Sequence, residues 1–127
     1  MATTLYDQVG GEPFFERLVD EFYDVVATDE LLRPMYPEEL SGARRHLVLF
    51  LVQYWGGPPT YMNERGHPRL RLRHAPFQIT SQARDAWLGA MNHALEVVRD
   101  ALTPEQFLEM TAYFDMAAHQ MRNVEPR

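Results

Sequence analysis

Large apolar residues return at steps of three and four along four long stretches of this 127-residue chain, and that spacing fixes the class of fold open to it. In the first stretch, Pro13 to Ala27, they are Phe15, Leu18, Val19, Phe22 and Val26, one stripe of an amphipathic helix. Gly10-Gly11 interrupts whatever short turn comes before, and Pro13 suits a first helical turn, where its missing N–H costs nothing. A second helix is expected from Ser41, an N-cap type, to about Trp55, with Ala43, Leu47, Phe50, Leu51 and Tyr54 on one face. Gly56-Gly57-Pro58-Pro59 stops it. A third, capped by Thr80 or Ser81, carries Trp87, Met91, Ala94 and Val98 to about Ala101. Thr103-Pro104-Glu105-Gln106 is a capping-box start for the fourth, whose face is Phe107, Met110, Phe114, Ala117 and Met121 and whose end is expected near Asn123.

No stretch alternates apolar and polar residues, and no Asn-Gly or Asp-Gly pair joins two apolar runs, so the expected class is all-α. Between the first two helices, Leu31-Leu32-Arg33-Pro34-Met35-Tyr36-Pro37 must turn a corner, because two prolines three apart end any helix. Residues 58–76 lack a clean period and hold four prolines with Arg65, Arg69, Arg71 and Arg73. This reads as an extended basic connection with one short helix near its end. So long a loop in a small domain is usually functional.

Residues 1–127 are read as one domain, large enough for a core without staples. With no Cys, disulfides, thiolate metal sites, iron–sulfur clusters and cysteine nucleophiles are excluded. The net charge of -6 argues against a nucleic-acid or anionic-membrane binder. No apolar run reaches the roughly 18 residues of a membrane span, and the first residues lack signal-peptide character, so a cytoplasmic location is expected.

The dinucleotide, P-loop, zincin, EF-hand and nucleophile-elbow motifs are all absent. What remains is His46, His67, His74, His93 and His119 among many aromatic and Met residues. No two of these histidines stand three or four apart, which argues against a zinc or di-iron site on helices. Haem iron needs a single imidazole, and His74 has the best surroundings for it, with Arg71 and Arg73 before it and Ala75-Pro76-Phe77 after it. A surface or capping histidine is the competing reading. Tyr23, Tyr36 and Trp87 each combine an apolar body with a donor tip, so they read either as core aromatics bonded to backbone or as donors converging on a small ligand. The Arg run reads as a solvated loop, a phosphate patch, or partners for a cofactor with two carboxylates, which Arg pairs bidentately.

Taken with Phe22-Tyr23, Tyr36-Pro37, Tyr54-Trp55-Gly56-Gly57-Pro58, Arg65-Gly66-His67-Pro68-Arg69-Leu70-Arg71, Arg73-His74-Ala75-Pro76-Phe77 and Asp85-Ala86-Trp87-Leu88, the chain resembles the truncated haemoglobins of the second group, the O type, over nearly its whole length. The resemblance implies a globin-like two-over-two helical sandwich around haem b. It implies His74 as proximal iron ligand and Tyr23, Tyr36 and Trp87 as distal donors. Ala43 and Leu47 would face the ligand from the second helix without a hydrogen bond, leaving no counterpart to the distal histidine of ordinary globins. Arg73 is the preferred propionate partner, His46 a second one, and Leu47, Phe77 and Trp87 would also contact the cofactor.

The implied function is reversible binding of O2, and of CO and NO, for scavenging, sensing or O2/NO redox chemistry rather than bulk transport. NO dioxygenase or weak peroxidase activity is compatible with it. A strong peroxidase would need a carboxylate on the second nitrogen of His74, whereas a helical His74 would instead meet the carbonyl of Leu70. A reductase of unidentified kind is expected as partner, and a homodimer stays open. A cofactor-free helical interaction domain is the remaining alternative.

Overall fold

The structure is a computed structural model that describes residues 3–74 and 77–123. Among the described residues there are helices and no strands, as the periodicity requires. The order is α1 (Leu5–Gln8), α2 (Glu12–Val26), a 3-10 turn (Arg33–Met35), α3 (Ser41–Tyr54), α4 (Thr60–Arg65), α5 (Leu70–His74), α6 (Ser81–Val97), a second 3-10 turn (Arg99–Ala101) and α7 (Pro104–Met121). Helix α2 packs on α3 and α6, and α6 packs on α7. The result is the two-over-two arrangement of long helices that the resemblance implies, with α4 leaning on α3 and α5 on α7.

Helix α2 supplies the centre, since Phe15, Leu18, Val19, Phe22 and Val26 lose all solvent contact. They meet Met91, Ala94 and Leu95 from α6, Val98 just after it, and Met110 and Phe114 from α7. Burying each large side chain contributes about 1.5–3 kcal/mol, so this cluster dominates the local contributions to stability. Asp20 receives Arg44 at 2.6 Å across α2 and α3, but at such exposed positions the pair adds at most about 1 kcal/mol.

Of the four long helices three have an expected N-cap side chain, and capping follows the sequence at two of these. Thr80 Oγ1 accepts the Ala83 N–H at 3.0 Å, and Thr103 and Gln106 close both bonds of the capping box at 3.1 and 2.9 Å. The third differs: α3 starts at Ser41 itself, and the Glu39 carboxylate accepts the Ser41 N–H at 3.1 Å, so an acidic side chain two residues upstream replaces the expected serine cap. The connection 58–76 also holds two short helices, not one. Helix α6 tightens into a 3-10 turn after Val97, and α7 stops at Met121, leaving Asn123 to pair with Ile79.

The Gly-Gly corner after α3 is where close approach demands glycine. Trp55 O accepts the Tyr6 N–H at 3.0 Å, which brings α1 onto the corner. A methyl group at Gly57 would lie 2.6 Å from a Val52 methyl carbon and 2.7 Å from the Tyr6 ring, and at Gly56, with φ +98°, it would run into Thr4. Gly57→Ala is therefore expected to lower stability by about 1–3 kcal/mol, the usual range for overpacking. A denaturation midpoint equal to that of the wild type would show that Tyr6 simply moves aside.

Candidate functional site

The inner faces of α3, α6 and α7 leave a space between them. Ala43, Leu47 and Phe50 on α3, Trp87 on α6 and Ala117 and Met121 on α7 belong to the predicted buried stripes, yet remain half-buried. They line a cavity of about 410 Å³, within the range of small-molecule and cofactor sites. Every residue singled out from the sequence as a site residue is on its wall: Tyr23, Tyr36, Ala43, His46, Leu47, Arg73, His74, Phe77 and Trp87. Ala75 and Pro76, and the side chain of Arg71, lie outside the described residues.

Helix α5 presents His74. Its Nδ1–H donates to the Leu70 carbonyl at 2.6 Å, the bond that helical spacing predicts, which leaves Nε2 as the acceptor nitrogen. The carbonyl of His74 is held in turn by the Phe77 N–H at 3.0 Å and the Asn123 amide at 3.3 Å. Asn123 also donates to Phe77 O at 2.9 Å, accepts the Ile79 N–H at 2.8 Å and donates its own N–H to Ile79 O at 3.0 Å. The stretch after α5 is thus tied to the end of α7 by a residue that the sequence marks only as a helix end.

The aromatic donors come from three elements. Asp29 accepts the N–H groups of Leu31 and Leu32 at 2.9 Å each, and the Arg33 guanidinium donates to the carbonyls of Pro37 and Glu38 at 2.9 and 2.7 Å. These bonds set the corner that carries Tyr36. Its ring stands edge-on to Tyr23 at 5.6 Å, and Phe22 packs 5.3 Å from Trp87 on the other side of α2. Burial pushes the Tyr36 phenol up to about 12, partly offset by a hydrogen bond from Trp87. Burial, with Tyr36 alongside, raises Tyr23 further still. Both hydroxyls therefore keep their protons near neutrality and can donate.

One part of the cavity wall is cationic. The Arg65 guanidinium reaches His46 Nδ1 at 2.5 Å, and the Arg73 guanidinium donates to Pro68 O at 2.7 Å and Arg65 O at 3.0 Å. Burial and the neighbouring charges of Arg65, Arg45 and Arg73 hold the His46 imidazolium below the usual histidine range, so the ring accepts from Arg65 as a neutral base. Arg84, on α6, also lines the wall and was not among the residues picked from the sequence; its i, i+3 spacing to Trp87 was the available signal.

An apolar chamber, the His74 imidazole tethered by a backbone carbonyl, neutral phenol donors and the guanidinium groups of Arg65 and Arg73, which meet no carboxylate among the described residues, suit an iron macrocycle bearing two carboxylates. The sequence pattern of the bacterial-like globins matches residues 4–120. The chain belongs to that family. It is 49% identical over 88 residues to group 2 truncated hemoglobin YjbI of Bacillus subtilis (strain 168), which covers 69% of this chain and 67% of that one. The fold superposes on a thermostable hemoglobin from the actinobacterium Thermobifida fusca with a TM-score of 0.93 and 47% identity, over 98% of this chain and 100% of that one. With a truncated oxygen-avid haemoglobin from Bacillus subtilis the TM-score is 0.88 at 40% identity, over 95% and 100% of the two chains. This globin is thus a truncated haemoglobin of the second group, a family defined by haem-based binding of small gaseous ligands. No helix among its described residues is long and apolar enough to cross a membrane.

Proposed function

We propose that this globin holds haem b through His74 and binds O2 reversibly, with CO and NO as further ligands, for oxygen scavenging, sensing or O2/NO redox chemistry. The observation that carries the reading is the common cavity of His74, with Nδ1 engaged by the Leu70 carbonyl, and the donors Tyr23, Tyr36 and Trp87. Haem, when bound, would supply an iron that takes a diatomic ligand.

The chain's residues do the rest. His74 offers Nε2, and Arg73, Arg65 and His46 suit the propionates, with Leu47 and Phe77 as apolar contacts. Trp87 donates its single N–H to the Tyr36 oxygen and so acts through Tyr36, whose O–H can point its proton at the ligand, with Tyr23 edge-on beside it. Ala43 and Leu47 on α3 offer no hydrogen bond, so retention rests on this triad. In a cavity of low local dielectric each donor contributes on the order of 1 kcal/mol or more, which is about five-fold in a dissociation rate. Slow release suits scavenging, sensing or redox work better than bulk delivery. A carbonyl, not a carboxylate, on Nδ1 favours ligand binding over strong peroxidase activity.

The first test is one absorption spectrum of the purified protein, with and without dithionite and CO. A haem band that moves on reduction and again with CO is expected; a colourless protein after expression with ample haem would overturn the proposal. In stopped flow, Trp87→Phe and Tyr36→Phe should each speed O2 release about five-fold or more. Unchanged rates in both would remove the donor argument.

A further inference from the structure

Beside the main cavity a second concavity of about 470 Å³ opens between the end of α3, the turn 67–70 and the last part of α7. Its wall is aromatic and its rim basic. Tyr54 and Tyr113 lie with ring centroids 4.2 Å apart at 33°, and Phe50 stacks on Tyr54 at 6.2 Å. Tyr54 was expected on the buried stripe of α3 but is 49% exposed, so much of an aromatic surface faces solvent in this groove.

His67 and Arg69 supply the rim, and no Asp or Glu is among the described residues that line it. The guanidinium groups of Arg44, Arg45 and Arg99 each meet a carboxylate, whereas Arg69, also exposed, meets none among the described residues. Its backbone is at φ 45°, the left-handed region that costs a residue other than glycine about 1 kcal/mol or more. The His67 ring holds it there, Nδ1 accepting the Arg69 N–H at 3.1 Å. Burial beside Tyr54 pushes the Tyr113 phenol up to about 12, so it meets an anion as a neutral donor.

We propose that this groove binds a small aromatic carboxylate, its ring against Tyr54 and Tyr113 and its carboxylate on Arg69. An aliphatic acid would forgo the ring contacts, which offset stacking favours. A neutral aromatic would leave the guanidinium without its bidentate partner. The volume falls in the range of small-ligand sites. Phe50, Leu70, Tyr113 and Met121 line both this groove and the main cavity, and the Leu70 carbonyl is the acceptor for His74. A bound acid therefore presses on the residue that orients His74. That coupling, unlike the groove itself, rests on the haem reading.

The test is calorimetric titration of the haem-loaded, CO-saturated protein with 1-naphthoate at constant ionic strength, with neutral 1-naphthamide alongside. Naphthoate is expected to bind about ten-fold more tightly than the amide. Arg69→Gln should weaken naphthoate about ten-fold, Arg69→Lys should restore part of the affinity, and Arg99→Gln should change nothing. Tyr54→Ala should cost a few-fold. Equal affinity for acid and amide, an unaltered Arg69→Gln variant with a wild-type melting curve, or no binding at millimolar naphthoate would each overturn the proposal. Binding seen only in protein free of haem would overturn it too, because it would put the ligand in the main cavity. Haem content is read independently from the absorption spectrum. Failure of the haem reading therefore stays separate from failure of the groove.

Discussion

His74→Ala is expected to give a folded, helical protein that retains haem at least ~100-fold less well than the wild type, since loss of even an outer partner of a metal ligand costs 10–100-fold. The side chain is removed from the end of a five-residue helix whose position is set from outside by Asn123 and Phe77, so the backbone should persist. His93→Ala and His119→Ala, both at exposed positions on α6 and α7, should leave haem retention unchanged. Haem transfer to an excess of apomyoglobin, followed by absorbance, measures this directly. Added imidazole should partly restore the spectrum of His74→Ala, which a general folding defect would not allow. Wild-type retention in that variant would end the assignment of His74.

Phe22→Ala should have the largest effect on stability. Phe22 has no solvent exposure and its ring lies 5.0 Å from Tyr23 and 5.3 Å from Trp87, between two of the proposed donors. Truncating such a residue costs about 3–5 kcal/mol, a large share of the roughly 5–15 kcal/mol that holds a domain together. Urea unfolding should show the midpoint lowered at unchanged slope. Leu108→Ala, at 66% exposure, should stay within about 0.5 kcal/mol of wild type. The same Phe22 substitution should also speed O2 release, because Tyr23 and Trp87 lose the ring that fixes their orientation. Equal midpoints for the Phe22 and Leu108 variants would contradict this account of the core.

Much of the architecture was legible because the long helices announce themselves through a 3.6-residue period and through Thr80, Thr103 and Pro13 at their starts. The short helix α5 was legible as the one short helix expected near the end of the connection, but α4 was not, since six residues are too few to show a period and the surrounding prolines and arginines read as a loop. Cap identity failed at Ser41, where the choice between a serine hydroxyl and the Glu39 carboxylate depends on how the chain leaves the corner. At the site, bare spacing left His74 open between ligand and cap, and Tyr23, Tyr36 and Trp87 open between core and donor. It was the resemblance that singled them out. Arg65 was legible only as part of a basic run, and Arg84 was passed over because a charged residue at a helix start has a bland explanation.

The sequence by itself determined that the chain is helical, which stripe of each long helix avoids water, and which chemistry is available: no thiol, no lysine, five histidines and twelve arginines. A hydrophobic period reports that a face leaves water but not what it meets, because apolar burial has no direction. Only the tertiary structure decided that Phe15 and Phe22 close on neighbours while Ala43, Leu47 and Trp87 face a chamber. It likewise decided that Asn123 would reach the His74 carbonyl from 49 residues away, and that Tyr54 would leave the core to lie against Tyr113. Those outcomes depend on which distant segments touch, and a local pattern carries no such information.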